Sequence, residues 1–119
     1  MAIPLIILPL LVSLSSNADL WSIVVRNESG APCSVVLTIE SDGEQERRFE
    51  NVPVRRGYDD HVLIQERGSG LIHAIKVIGR DGQERVLKRV EEVPRGAQLE
   101  ITVGEQLILS TSIDYDRHM

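Results

Sequence analysis

The chain is short of the features that usually advertise a function. One cysteine, Cys33, in 119 residues excludes an intramolecular disulfide and with it a disulfide-stapled scaffold. Aromatics are scarce, with one Trp, two Tyr and one Phe, which counts against a flat sugar-stacking face or a broad aromatic hot spot. Basic side chains are outnumbered, 13 Lys+Arg against 18 Asp+Glu for a net charge of −5. An acidic domain lacks the positive surface that phosphate backbones require, so no nucleic-acid partner is expected. There is no apolar run of about 20 residues, the length a membrane-spanning helix needs. G-x-S-x-G, H-E-x-x-H and the calcium-loop pattern are all absent from the sequence, so the motif-based routes to an enzyme or metal protein are missing.

The charge is unevenly placed. Residues 1–18, MAIPLIILPLLVSLSSNA, carry none of it. Ile3 to Leu14 is apolar apart from Ser13 and is interrupted by Pro4 and Pro9. Ser16-Asn17-Ala18 puts small residues at the −3 and −1 positions of a signal-peptidase site. The segment reads as an export signal cleaved after Ala18, although its only positive charge is the terminal amine. Residues 19–119 then form a single domain located outside the cytoplasm, secreted or periplasmic, with no membrane span after cleavage.

That domain holds 12 Val and 9 Ile but only 3 Ala, an economy suited to pleated sheet rather than helix. Trp21, Ile23 and Val25 alternate with Ser22, Val24 and Arg26. Cys33, Val35, Leu37 and Ile39 repeat the pattern, as do Leu99, Ile101 and Val103, and Leu107, Leu109, Thr111 and Ile113. Period two sends one set to a core and the other outward. Less regular strands are expected near Glu46–Val52, Asp60–Gln65, Leu71–Ile78 and Glu84–Val90. Leu71–Ile78, apolar on both faces, belongs in the middle of a sheet. Asp42-Gly43 and Asp81-Gly82 read as type I′ hairpins and Gly104-Glu105 as a type II′ turn. The fold class is all-β: an antiparallel two-sheet sandwich of seven or eight strands.

Two stretches echo each other. Strand, Asp-Gly turn, strand, Val-Pro with a following Arg-Gly, and strand occur around Asp42-Gly43, Val52-Pro53 and Arg56-Gly57. They recur around Asp81-Gly82, Val93-Pro94 and Arg95-Gly96, with two small length changes between the copies. Proline cannot donate to a ladder, so each Pro closes a strand and turns the chain toward the other sheet.

Candidate chemistry is sparse. Tyr58-Asp59-Asp60-His61 and Asp114-Tyr115-Asp116-Arg117-His118 are the two acidic–aromatic–His clusters. Should their loops meet, Asp59, Asp60, His61, Asp114, Asp116 and His118 offer carboxylate and imidazole ligands for Zn²⁺ or Ca²⁺; two solvated polar loops are the plainer reading. Arg47, Arg48, Arg55 and Arg56 flank Phe49 and Tyr58 and form the only basic concentration. They could bind an anionic glycan or acidic partner, with Tyr58 alongside, or simply solvate a charged edge strand. Asn27-Glu28-Ser29 is a sequon for glycosylation at Asn27. Cys33 alternates with core residues and reads as a buried thiol, with an intermolecular disulfide as its sharper use.

The layout over residues 20–113 is similar to immunoglobulin-like and fibronectin-III-like sandwiches, a likeness of architecture that brings no functional motif. The expected function is a small non-catalytic exported module with a binding or structural role at the cell envelope or outside the cell, its partner another exported protein, with no cofactor. The alternative is an inhibitor or chaperone of exported proteins presenting Gly68-Ser69-Gly70 and Arg55–Asp60. A small metal protein or hydrolase ranks behind both.

Overall fold

The computed structural model describes residues 19–41 and 43–115, without the side chain of Arg89. The export-signal expectation for residues 1–18, and the candidates Asp116 and His118, therefore lie outside the described residues. Eight strands follow in chain order: β1 (Leu20–Asn27), β2 (Cys33–Glu40), β3 (Glu44–Val52), β4 (His61–Arg67), β5 (Gly70–Ile78), β6 (Glu84–Val93), β7 (Gln98–Val103) and β8 (Leu109–Asp114). They form two four-stranded sheets, β4-β1-β7-β8 and β3-β2-β5-β6. Among the described residues there is no α-helix, as the Val and Ile content leads one to expect.

The alternating apolar sets meet between the sheets. Trp21, Ile23, Val25, Val35, Leu37, Ile39, Leu99, Ile101 and Val103 join one buried cluster with Cys33, Ile64, Ile72, Ile75 and Val77. Gly70 lets the Trp21 ring into this core, because a Cβ there would stand 2.4 Å from the indole. The indole Nε1 itself is buried without a hydrogen-bond partner, a cost of about 1–3 kcal/mol set against the apolar area the ring buries.

The echo in the sequence is an order in space. The hairpins β2–β3 and β5–β6 lie side by side, with β2 and β5 central and antiparallel and β3 and β6 at the edges. The next strand of each unit, β4 or β7, crosses to the other sheet and flanks β1. A two-fold axis that exchanges the two antiparallel hairpins would exchange β4 with β7 and make them run in opposite directions. A single strand between them must then be antiparallel to one and parallel to the other. β1 is antiparallel to β4 and parallel to β7, so the expected all-antiparallel sandwich contains one parallel pair. The strand order also differs from a constant-type immunoglobulin domain, which places its first, second, fourth and fifth strands in one sheet. Here β2, β3, β5 and β6 share a sheet.

Loops at one end of the sandwich, the upper end, are residues 28–32, 53–60, 79–83 and 104–108. The lower end holds the β2–β3 connection and residues 68–69 and 94–97. Three turn assignments change. Glu40 pairs with Glu44, so the β2–β3 connection is longer than the expected two-residue Asp42-Gly43 hairpin. Asp81 is not in the left-handed region; Gly82 alone is, at φ 87. Its N–H donates to Gly79 O, and the Asp81 carboxylate accepts from the Gln83 N–H. A longer loop replaces the two-residue hairpin. Gly104 is extended, and the left-handed pair is Gln106 and Leu107. The Ile108 N–H donates to Glu105 O across them. Burying the Leu107 side chain against the core end offsets a backbone cost of about 1–2 kcal/mol per residue.

Candidate functional site

The loop between β3 and β4 is built on the end of β1. Asn27, 1% exposed, donates from Nδ2 to Ala31 O at 2.9 Å and to Val52 O at 3.0 Å. Its Oδ1 accepts the Ser29 N–H at 3.0 Å and lies 2.7 Å from the Ser29 hydroxyl. The backbone carbonyl of Asn27 accepts the Arg55 N–H at 2.8 Å. Every donor and acceptor of this amide is used. The sequon nitrogen is therefore a buried strut, and attaching a sugar would replace one of its two hydrogens and sacrifice at least one of these hydrogen bonds. In the folded domain the side-chain amide of Asn27, the glycosylation candidate, is occupied by these contacts.

Above that strut stands a charge cluster. Arg26, on the outer face of β1, forks onto Asp60, with Nε 3.1 Å from Oδ1 and Nη2 3.2 Å from Oδ2. Nη2 also donates to Glu100 Oε1 on β7 at 3.1 Å. The hydrogen bond to Asp60, with both carboxylates nearby, raises the Arg26 pKa still further. Arg55 Nε lies 3.3 Å from Asp60 Oδ1, close enough for an ion pair but not aligned for a hydrogen bond. Asp60 is thus shared by two guanidinium groups that anchor the loop from both sides.

The anchored loop carries a tight turn. Arg56 and Asp59 pair across it, and the Asp59 N–H donates to Arg56 O. Gly57 takes the first central position at φ 62, where a Cβ would strain the backbone. Tyr58 at the tip is 93% exposed, with the Arg55 guanidinium carbon 5.8 Å from its ring centroid. Arg56, Asp59 and His61 are exposed around it. A concavity of about 380 Å³ lies beneath, lined by Val25, Pro53, Val54, Arg55, Asp60 and His61 among others.

The remaining sequence candidates go elsewhere. Arg47 turns to Glu66 on β4 and ties the two sheets at one edge, while Arg48 is exposed on the outer face of β3. β3 and β6 are edge strands, as their charge mixture suggests. Asp59, Asp60 and His61 sit at the upper end by β4. Asp114 ends β8 at the lower end, and β4 and β8 are opposite edges of one sheet. Three strand steps, about 14 Å, separate them sideways before the length of the strands is added. Among the described residues, Asp114 therefore does not meet Asp59, Asp60 and His61, and Asp60 is already committed to Arg26 and Arg55.

Gly68-Ser69-Gly70 is not a presented loop. Only residues 68–69 join β4 to β5, the Gly68 N–H is bonded to Asp19 O, and Gly70 is packed under Trp21. Cys33 is buried, and burial pushes its thiol pKa up, which disfavours the reactive thiolate. A larger concavity of about 520 Å³ adjoins it, walled by Ala31, Pro32, Gly79 and Leu107 among others. It gathers no comparable set of charged groups, and the 53–60 loop is the better candidate. Sequence reasoning found Arg55, Arg56, Tyr58, Asp59, Asp60 and His61. It missed Arg26, which reaches Asp60 across the antiparallel β1–β4 pair, Glu100, which joins Arg26 through the parallel β1–β7 pair, and Asn27 as a strut to Val52. No family model, curated protein or solved structure matches the chain.

Proposed function

We propose that the protein is a non-catalytic binding module, exported from the cytoplasm, that engages another exported protein through the Arg56–Asp59 turn. One observation carries the reading: a nearly fully exposed tyrosine, Tyr58, at the tip of a turn whose base is fixed by Arg26, Asp60 and Arg55. A rigid aromatic with a neighbouring arginine is the anchor that protein interfaces favour, and holding it in place before binding lowers the entropic cost of association. Arg56 and His61 beside it suit a partner surface that offers carboxylates. The non-catalytic part is supported by the buried, neutral thiol of Cys33. The exported part is supported by the uncharged apolar segment and the small residues ending at Ala18.

A photo-crosslinking amino acid at position 58, compared with one at Val90 (70% exposed, on an edge strand), tests the site in the producing cells. The expected result is a discrete adduct from position 58 and none from 90. Equal labelling from both, or none from 58, contradicts the proposal. N-terminal sequencing of the exported product tests the signal, with Asp19 expected as the first residue; an intact Met1 overturns it.

A further inference from the structure

At the lower end of the other sheet, three strands bring metal-ligating side chains together. Glu40 closes β2 and Glu44 opens β3, and the two are direct cross-strand partners on the outer face. Like charges placed opposite one another destabilise a sheet. Among the described residues Glu44 has no ion-pair partner, and Glu40 has only His73, whose Nε2 lies 3.2 Å from Glu40 Oε1. His73 gets there by an irregularity. In the central strand β5 the register slips by one residue at His73 against β2, where Thr38 pairs with Ala74 but Ile39 with Ile72. The pairing with β6 also slips between Ile72 and Ala74. This is a bulge, a device that re-aims a side chain at the expense of the ladder. Here it moves the inward set from Ile72 to Ile75 and Val77 and leaves the imidazole beside the two carboxylates. One ligand atom from each of Glu40, Glu44 and His73 falls within 4.8 Å of the others.

We propose that Glu40, Glu44 and His73 bind a divalent transition cation of the zinc class. Zinc takes His nitrogen at about 2.0–2.1 Å and carboxylate oxygen at about 2.0–2.2 Å in tetrahedral sites, which sets ligands roughly 3.3–3.5 Å apart. His73 and Glu40 are already near that separation, and the exposed Glu44 side chain has its ligand atom within 4.8 Å of both. An imidazole donor selects zinc-like ions over calcium or magnesium. Three protein ligands leave a coordination position for water or for a group on a partner. The ion would also neutralise the Glu40–Glu44 pair. This site is at the opposite end of the molecule from Tyr58 and does not depend on the binding role proposed there.

Isothermal titration of zinc chloride into the untagged, EDTA-treated chain tests the site, beside His73→Ala, the double variant Glu40→Gln/Glu44→Gln, and His61→Ala. The expected result is one saturable site, with affinity reduced at least about tenfold in the first two variants and unchanged in His61→Ala. All three replaced groups lie near or at the surface, and equal thermal unfolding without metal verifies folding. Absence of saturable binding, binding that survives His73→Ala, or equal loss in His61→Ala overturns the proposal.

Discussion

Two corners of this sandwich do the same topological task with different amounts of chain. Residues 94–97 carry the chain from β6 to β7 in four residues, and 53–60 carry it from β3 to β4 in eight. Each follows a buried valine, Val93 or Val52, and a proline. Each pins one end of β1: the Gly96 N–H donates to Leu20 O, and the Arg55 N–H to Asn27 O. The short corner is packed inward, with Ala97 buried and its N–H bonded to Pro94 O. The long one repeats that attachment and then adds a turn ending on an exposed tyrosine. Four residues suffice to make the crossing, so the turn at Arg56–Asp59 is surplus to the fold, and surplus ordered structure on a rigid base is where binding residues concentrate.

The comparison can be broken first at its shared foundation. Asn27→Ala removes both carbonyl contacts and the acceptor for Ser29, taking from the buried Val52 carbonyl the amide donor that braces it. A loss of about 3 kcal/mol is expected in urea unfolding. The short corner should tolerate little: Ala97→Leu forces added volume into a filled site and should cost about 1–3 kcal/mol. Removing the cluster under the long corner should cost less, because Arg26 is partly exposed. For Arg26→Ala about 1 kcal/mol is expected, diminishing in high salt. Tyr58→Ala should change stability by less than about 0.5 kcal/mol. Nevertheless it should abolish competition with the adduct formed from a position-58 crosslinker in the unsubstituted chain. A large stability loss there, or undiminished competition, removes the distinction between the two corners.

Much of the architecture was legible because it depends on period and punctuation. The alternation from Trp21 to Val25 and from Cys33 to Ile39 needs only local sequence, and the central place of Leu71–Ile78 follows from its two apolar faces. The paired Val-Pro corners were legible too, and they placed the extra residues near Tyr58. What was not legible depends on partners distant in the chain. Asn27 read only as a sequon because Val52, whose carbonyl its amide braces, lies 25 residues on at the end of β3 in the other sheet. Asp60 looked like a ligand because Arg26 reaches it from another strand. Asp114 and Asp59 looked alike, but strand order sends them to opposite edges. The Gly104 turn misled because Leu107 accepts a left-handed backbone in order to cover the core. Glu40 and Glu44 face each other only because three residues rather than two join β2 to β3, and His73 joins them through a bulge that no period-two pattern announces.

The central claim, that the Arg56–Asp59 turn is added to a corner complete without it, has a direct test. Arg56 and Asp59 face each other across the turn, so deleting residues 56–59 joins Arg55 to Asp60 across a short gap. The deletion leaves four residues, the length of the 94–97 corner, and keeps both the Asn27–Arg55 bond and the Asp60 carboxylate. Urea unfolding of this deletion should show a cooperative transition within about 1 kcal/mol of the full chain, since shortening a surface loop changes closure entropy only slightly. A loss as large as that of Asn27→Ala would show that the turn belongs to the fold and would contradict the account.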